Sequence, residues 1–401
     1  MGRSDSRKRT ICVVTGGRTD YGQLFWLMDE IRRDPDLKLQ VVATGMHLSR
    51  RYGSTVRRVE ADGFRIDAAA PVLRYDDSES GIAKTIGLGC RLFADIFRRL
   101  RPNLVVILGD RFEMLSAAIA AYVGKFPIAH IHGGETSQGA MDEGFRHAIT
   151  KMAQVHFPAH EVYRRRIVQL GEDPRRVFNF GSLGLETLHR TPLFKKEELE
   201  KRLKMDLDGP AAVFTYHPAT LEKNSAARQI ECILNAVGRF DLKVIFTKTN
   251  ADTDGRIINR VIQEFCRKNP ARYKLFDSLG HAAYLSCLRH CSVVIGNSSS
   301  GIIEAASFKI PVVNIGDRQK GRMRTKNIID VRCSETDIVR GLKKALSQKF
   351  RTSLKKLQNP YDKYRDGHVA RRMKDRLKRV ELDEGIIKKE FFDLKINERH
   401  S

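Results

Sequence analysis

The sequence predicts an α/β protein built from two successive parallel sheets, each covered by helices on both faces. Three observations predict it. Short apolar runs alternate with segments of helical periodicity, the alternation lapses across a charged stretch near residues 188–208, and it then begins again. Strands buried on both faces read as continuous apolar runs, and parallel strands need crossover connections that are usually helices.

In the first series, Thr10-Ile11-Cys12-Val13-Val14-Thr15 reads as a buried strand. Residues 23–34 read as a helix with Leu24, Leu27, Met28 and Ile31 on one face. A strand over 39–44 follows. The run Leu104-Val105-Val106-Ile107-Leu108 is the clearest strand, with an apolar helix over 112–123 behind it. Residues 127–132 form a further strand, closed by Gly133-Gly134. The stretch 188–208 holds Pro192 and dense charge around Leu199, which predicts a link and a surface helix. The second series has strands at 211–216, 242–247, 273–276, 292–296 and 311–315, and a helix over 335–347 closes it. From 359 onward the chain is highly charged but carries Val369, Met373, Leu377 and Ile386, the pattern of a helix that packs back, with loose last residues. The expected division is 1–188, 189–360 and a helical tail over 361–401.

Composition narrows the function classes. A chain of 401 residues can bury two cores, and no run approaches the ~18 apolar residues of a membrane helix. The basic start leads into only a short apolar run, so it reads as a first strand rather than a signal peptide, and Gly2 with Ser6 matches the myristoylation spacing only formally. Seven scattered cysteines without a CxxC pair read as reduced thiols, so the protein is expected in the cytoplasm. The formal charge of +24 is spread along the chain with no aromatic-basic repeat, which argues against a dedicated nucleic-acid role.

Two polar clusters follow strands directly. Thr15-Gly16-Gly17-Arg18-Thr19-Asp20-Tyr21-Gly22 is neither GxGxxG nor a Walker loop; it reads equally as an anion site or as a tight turn. Gly296-Asn297-Ser298-Ser299-Ser300-Gly301 is sharper. A helix start needs one capping serine, and three hydroxyls beside several N–H groups make a pyrophosphate cradle. Glu304, one turn on, suits a ribose diol or is simply a solvated helix glutamate. Of Arg318, Lys320, Arg322 and Arg324, one or two are expected to face phosphate at the strand end.

The first series also ends in acid/base groups. Asp110 closes a wholly apolar strand beside Arg111, and the next strand ends in His130-Ile131-His132-Gly133-Gly134-Glu135, where alternation sends both histidines to one side. Asp142 and Glu143 open a predicted helix, and His217 ends a strand of the second series. No HExxH or similar ligand spacing appears, so no metal is expected.

Taken together, these segments resemble the hydrolysing nucleotide-sugar 2-epimerases, over nearly the whole chain from Thr10 to Leu394. That family comprises the UDP-N-acetylglucosamine 2-epimerases of sialic-acid synthesis and relatives acting on diacetamido-trideoxy (N,N'-diacetylbacillosamine) sugar nucleotides. The most specific pieces are Thr15 to Gly22, Gly109-Asp110-Arg111, Gly133-Gly134-Glu135 with Asp142-Glu143, the run Arg146-His147-Ala148-Ile149-Thr150-Lys151, and Asn297 to Glu304 with Gly316-Asp317-Arg318-Gln319. The resemblance implies a GT-B-like fold, with two Rossmann-like domains whose parallel sheets face a central cleft. It implies that Ser298, Ser299, Ser300, Glu304 and Arg318 bind diphosphate and ribose while Arg18 reaches across toward phosphate. It also implies catalytic carboxylates at Asp110 and at Asp142 or Glu143, with His217 engaged in catalysis or phosphate contact. Arg111 and Glu135 become candidate sugar-site residues. A small-molecule nucleotide sugar is the implied partner, a homo-oligomer (dimer or tetramer) the implied state, and no cofactor is required.

One departure bears on substrate and mechanism. Many members of that family carry glutamate where this chain has His132, and the relatives handling diacetamido sugars accept histidine there. The expected reaction is conversion of UDP-N-acetylglucosamine to UDP and N-acetylmannosamine by elimination to a glycal and addition of water. The same reaction on UDP- or GDP-N,N'-diacetylbacillosamine stands almost level with it. A GT-B glycosyltransferase and a non-enzymatic basic nucleotide- or nucleic-acid-binding protein are the other readings. His132 either replaces the family glutamate as base or orients it.

Overall fold

Alternation of side chains along buried strands builds both cores. In the computed structural model, which describes residues 8–73, 76, 78–137, 140–218, 226–249 and 254–394, twelve strands form two six-stranded sheets. The Gly2 reading and the loose chain end lie outside the described residues. The first sheet contains β1 (Arg9–Thr15), β2 (Leu37–Thr44), β3 (Ala68–Ala70), β4 (Leu104–Leu108), β5 (Ile128–Ile131) and β6 (Val155–Phe157). The second contains β7 (Ala211–Thr215), β8 (Lys243–Thr247), β9 (Tyr273–Phe276), β10 (Val293–Gly296), β11 (Val312–Ile315) and β12 (Ile328–Val331).

Every strand pair in both sheets is parallel. The orders are β3-β2-β1-β4-β5-β6 and β12-β11-β10-β7-β8-β9, which are the same topology repeated. Each sheet therefore reverses its winding once, between β1 and β4 and between β7 and β10. Outside the carboxyl ends of strands at such a reversal lies the crevice where open α/β sheets bind ligands.

On β1, Ile11 and Val13 face a core shared with the helix Arg18–Arg33, whereas Cys12 and Val14 face the helices Glu79–Leu100 and Phe112–Val123. In the second sheet, Ala212 and Phe214 pack toward the helices Ala226–Gly238 and Gly255–Lys268, while Ala211 and Val213 pack toward His281–His290. The charged link carries the helix Lys196–Leu203, pinned by buried Leu199 and Leu203.

The chain then returns to its first half. The helix Val369–Arg379 buries Val369, Ala370, Met373 and Leu377 in the core beside Arg18–Arg33. Arg9 Nη1 donates to the Leu377 and Val380 carbonyls at 2.7 and 2.8 Å, and Lys374 and Lys378 grip Asp34 at 2.9 and 2.8 Å. Two of these strands, β3 and β6, are only three residues long. They and β12 leave no clear run in the sequence. No helix among the described residues is long and apolar enough to cross a membrane, and none of the seven cysteines is in a disulfide.

Candidate active site

The four strands at the two reversals deliver the polar clusters to one cleft. A cavity of about 470 Å³ lies there, lined by Arg18 and Gln23 from the first half and by His217, Ser298, Ser299, Ser300, Glu304 and Arg318 from the second.

In the second half, β10 and β7 approach so closely that a Cβ on Gly296 would sit 1.9 Å from the Thr215 carbonyl, and Gly296 has φ +128. Only glycine fits both demands. The next residue, Asn297, extends the pairing with its side chain: Oδ1 accepts from the His217 N–H at 2.7 Å and Nδ2 donates to the His217 carbonyl at 2.8 Å. The His217 ring is held through Nδ1 by Thr249 Oγ1 at 2.8 Å. The Asn297 carbonyl in turn accepts from Gln319 Nε2 at 2.7 Å and from Arg318 Nη1 at 3.3 Å.

Ser298 caps the following helix, its Oγ accepting from the Ser300 N–H at 3.4 Å. That helix, Ser299–Ile303, is only five residues long. A helix this short has little macrodipole, so what it offers the cleft is its local N–H groups and hydroxyls. Glu304 closes it, with His281 Nε2 3.8 Å from Oε1. Burial pushes the Glu304 carboxyl up, but His281, the Ser300 hydroxyl and His132 outweigh it and hold the group below its ordinary value. His281 also donates from Nδ1 to the Gly22 carbonyl at 3.2 Å, tying the halves together. The sequence reading did not single it out: it opens the helix His281–His290, five residues beyond the end of β9, and so lacks the strand-end position that marked His217.

In the first half, Gly17 precedes Arg18, the first residue of the helix Arg18–Arg33. Among the described residues the Arg18 guanidinium has no hydrogen-bond or ion-pair partner, and it lines the cleft. Beneath the Gly16 turn, burial and then the Glu113 carboxylate raise Asp20 to about 7, despite the opposing pull of Arg111 and the N–H groups of Gly16 and Gly17. Arg111 donates from Nε to Glu113 Oε1 at 2.9 Å, so part of its donor set serves this buried pair rather than a sugar.

The remaining acid/base candidates meet in one network. The Arg146 side chain, 2% exposed, donates to Asp110 and to Ser137 Oγ (2.8 Å) and lies 3.3 Å from Glu143 Oε2. Burial, and then the guanidinium groups of Arg322 and Arg318, press Arg146 well below its ordinary value. Glu143 also accepts from the Ser137 N–H and pairs with His147 at 3.2 Å. Burial pushes Glu143 up, while His147 and the Ser137 N–H pull harder and hold it below its ordinary value. Asp142 opens the same helix, Asp142–Met152, half-buried, next to Glu143.

His132 lies 2.6 Å from Glu135 Oε1 through Nδ1, and Arg322 of the second half lies 3.0 Å from Glu135 Oε2. Arg322 and the Lys320 carbonyl bond Glu135 and Thr136, so the acid/base network adjoins the segment that carries Arg318 to the serine cluster. One expectation is corrected here. β5 ends at Ile131 and His132 has φ +65, so strand alternation does not set its direction. His130 instead bonds the Gly109 carbonyl at 2.8 Å and Thr150 at 3.1 Å. Of the four cations after β11, Arg318 faces the cradle, Arg322 holds Glu135, and Arg324 pairs with Asp330 at 3.0 Å. Among the described residues no group of three or more His, Cys, Asp or Glu is arranged to hold a metal.

Fold and site together give a two-sheet α/β protein whose cleft is lined by Arg18, His217, the serine cluster, Glu304 and Arg318, with the network of Asp110, Glu143 and His132 outside that lining. The family model for UDP-N-acetylglucosamine 2-epimerase matches residues 29–378, and the chain belongs to that family of hydrolysing nucleotide-sugar 2-epimerases. It is 44% identical over 331 residues, 82% of this chain and 86% of the other, to the GDP/UDP-N,N'-diacetylbacillosamine 2-epimerase (hydrolyzing) of Campylobacter jejuni. It is 37% identical over 382 residues, 95% of this chain and 98% of the other, to the UDP-N,N'-diacetylbacillosamine 2-epimerase (hydrolyzing) of Legionella pneumophila. The crystal structure of UDP-GlcNAc 2-epimerase from Neisseria meningitidis bound to UDP-GlcNAc superposes with a TM-score of 0.76 at 15% identity, over 92% of this chain and 99% of that one.

Proposed function

We propose that this enzyme hydrolyses and 2-epimerises a nucleotide-linked N,N'-diacetylbacillosamine, rather than the UDP-N-acetylglucosamine placed first on sequence alone. The observation that carries the choice is the identity of 44% and 37%, across most of each chain, to two relatives named for that sugar. His132, in place of the glutamate of many family members, agrees with it.

In the proposed reaction a base takes the C2 proton while the C1–O bond to the diphosphate breaks, which leaves a 2-acetamidoglycal. Water then supplies hydroxide to C1, and a proton enters C2 from the opposite face. The C2 proton is barely acidic, so its removal needs a departing group whose charge is stabilised. Ser298, Ser299, Ser300, Arg318 and Arg18 supply that stabilisation where charge develops, and Glu304 takes the ribose diol. Asp110, Glu143 and His132 form the acid/base set, with Asp142 at its edge and His217 beside the diphosphate. Closure of the two halves excludes water until the glycal has formed. Hydrogen leaves as a proton, so the step needs no redox cofactor. The working form in this reading is a cytoplasmic homo-oligomer.

Incubation with UDP- and GDP-linked diacetamido and plain N-acetyl sugars in deuterated water, followed by NMR, tests the reading. The expected product is a free 2-epimeric diacetamido sugar with deuterium at C2. Turnover confined to UDP-N-acetylglucosamine overturns the substrate assignment, and a product without C2 deuterium overturns the mechanism.

A further inference from the structure

His132 sits immediately beyond β5 in the left-handed region, φ +65, which side chains other than glycine seldom adopt. Its N–H is nevertheless tied to the Phe157 carbonyl at 3.0 Å. Strain of this kind persists only where the surroundings dictate it, and such places cluster at functional sites. Here the ring is the group being placed. Nδ1 lies 2.6 Å from Glu135 Oε1, and an ionised carboxylate only accepts, so Nδ1 carries the hydrogen. The neutral ring then keeps its lone pair on Nε2, which is buried and has no hydrogen-bond partner among the described residues. An oriented imidazole with an unengaged lone pair is a general base awaiting a proton.

The group that fixes Glu135 comes from the other half of the molecule. Arg322, in the segment after β11, lies 3.0 Å from Glu135 Oε2 through Nη2 and donates from Nε to the Thr136 carbonyl at 2.7 Å. Thr136 answers by donating from Oγ1 to the Lys320 carbonyl at 3.0 Å. Burial alone would push the Glu135 carboxyl up; Arg322 first, and then His132, reverse this and keep it below its ordinary value. The other charged or titratable groups acting on this pair include His130, Glu304 and the buried phenols of Tyr163 and Tyr361.

We infer that Arg322 is a positioning residue of the second half that holds Glu135 ionised, and with it His132 in the tautomer whose Nε2 accepts a proton. Resting on the epimerase reading above, the inference names the base and the condition for it: Nε2 is competent only while the two halves are in contact. In the step itself, Nε2 takes the C2 proton, the C–H electron pair becomes the C1=C2 bond, and the C1–O pair leaves with the diphosphate. The proton later delivered to the opposite face of C2 is the one the attacking water gives up as its hydroxide adds to C1, relayed by a carboxylate of the Asp110 and Glu143 network, while the proton held on Nε2 passes to solvent as the products leave. Arg322 takes no proton.

The test is the pH dependence of kcat in Arg322→Met, Arg322→Lys and Glu135→Gln, alongside KM and the affinity for nucleoside diphosphate. Removing the guanidinium charge raises the proton affinity of the His132–Glu135 pair, so the acidic limb in Arg322→Met moves to higher pH. Removing the carboxylate charge destabilises the imidazolium, so the limb in Glu135→Gln moves to lower pH. In Arg322→Lys the charge remains and the limb stays near its original place. We expect kcat to fall about 10–100-fold in Arg322→Met, as for other groups that orient a functional histidine, with nucleotide affinity changed less than about threefold. Urea melts and nucleoside diphosphate binding establish that each variant is folded. A limb that stays put in both Arg322→Met and Glu135→Gln reduces Arg322 to a structural strut and overturns the inference. Should Arg322→Met fail to fold, the Glu135→Gln limb decides alone. A wild-type enzyme that releases no free sugar would instead sink the underlying reading, a separate and visible outcome.

Discussion

Asp110→Asn separates chemistry from architecture because the structure limits what the substitution can cost the fold. Asn keeps the volume and the carbonyl oxygen that accepts from Arg146, so that bond persists without its charge assistance. A bond to a charged group is worth about 1.5–3 kcal/mol and a neutral one about 0.5–1.5, which leaves a loss of roughly 1–2 kcal/mol. Arg146, with 2% of its side chain exposed, also keeps Glu143 at 3.3 Å and Ser137 at 2.8 Å, so its buried charge is not abandoned. If Asp110 moves a proton in the reaction, its loss costs about 10²–10⁴ in rate, or roughly 3–5 kcal/mol of transition-state stabilisation. The kinetic loss should therefore exceed the stability loss by about 1 kcal/mol or more. Urea denaturation gives the first quantity and NMR-followed release of free sugar the second, with nucleoside diphosphate binding as a check on the cradle. Turnover within about tenfold of wild type in a folded variant would remove Asp110 from the chemistry. A rate loss that simply tracked the fraction unfolded would do the same.

Asn297→Ala deprives the His217 backbone of both side-chain partners inside a buried junction; we expect about 2–4 kcal/mol lost in urea melts and weaker nucleotide binding, since the cradle hangs from the same residue. Arg18→Ala should leave stability unchanged, because Arg18 has no hydrogen-bond or ion-pair partner among the described residues, yet weaken nucleoside diphosphate binding about tenfold by calorimetry. Glu172 offers a pH test. Burial pushes its carboxyl up, but His156, Lys151 and the tail residue Lys389 overcome this and hold it at about 2, against an ordinary 4.5. A depressed carboxylate stabilises the fold fully above the ordinary value, and that stability drains away as pH falls from 4.5 through about 2. Wild type should exceed Glu172→Gln by about 2 kcal/mol at neutral pH, allowing for solvent screening, and the gap in urea midpoints should close across that acidic window.

The local parts of this site could be read from residues in order. Gly296 to Ser300 announced themselves because a glycine and three hydroxyls directly after an apolar run have few purposes. Asp110 and His217 stood out for the same reason, as polar residues ending runs that are otherwise apolar. Where the signal was weak the reading fell short: three alanines make a poor strand by propensity, so β3 was not found. His132 was misdirected by a period-two argument that ends where the strand does.

By itself the sequence determined the repeated strand-and-helix order, the polar strand ends and the family, since each depends on residues that are neighbours along the chain. Only the tertiary structure decided the partners. Asn297 holds His217 because β10 and β7, 80 residues apart, lie side by side at the reversal of the second sheet. Arg322 meets Glu135 across 187 positions because the two halves pack cleft to cleft. No periodicity encodes such a pairing. It follows from which strands share an edge and which loops the packing of the two cores brings face to face.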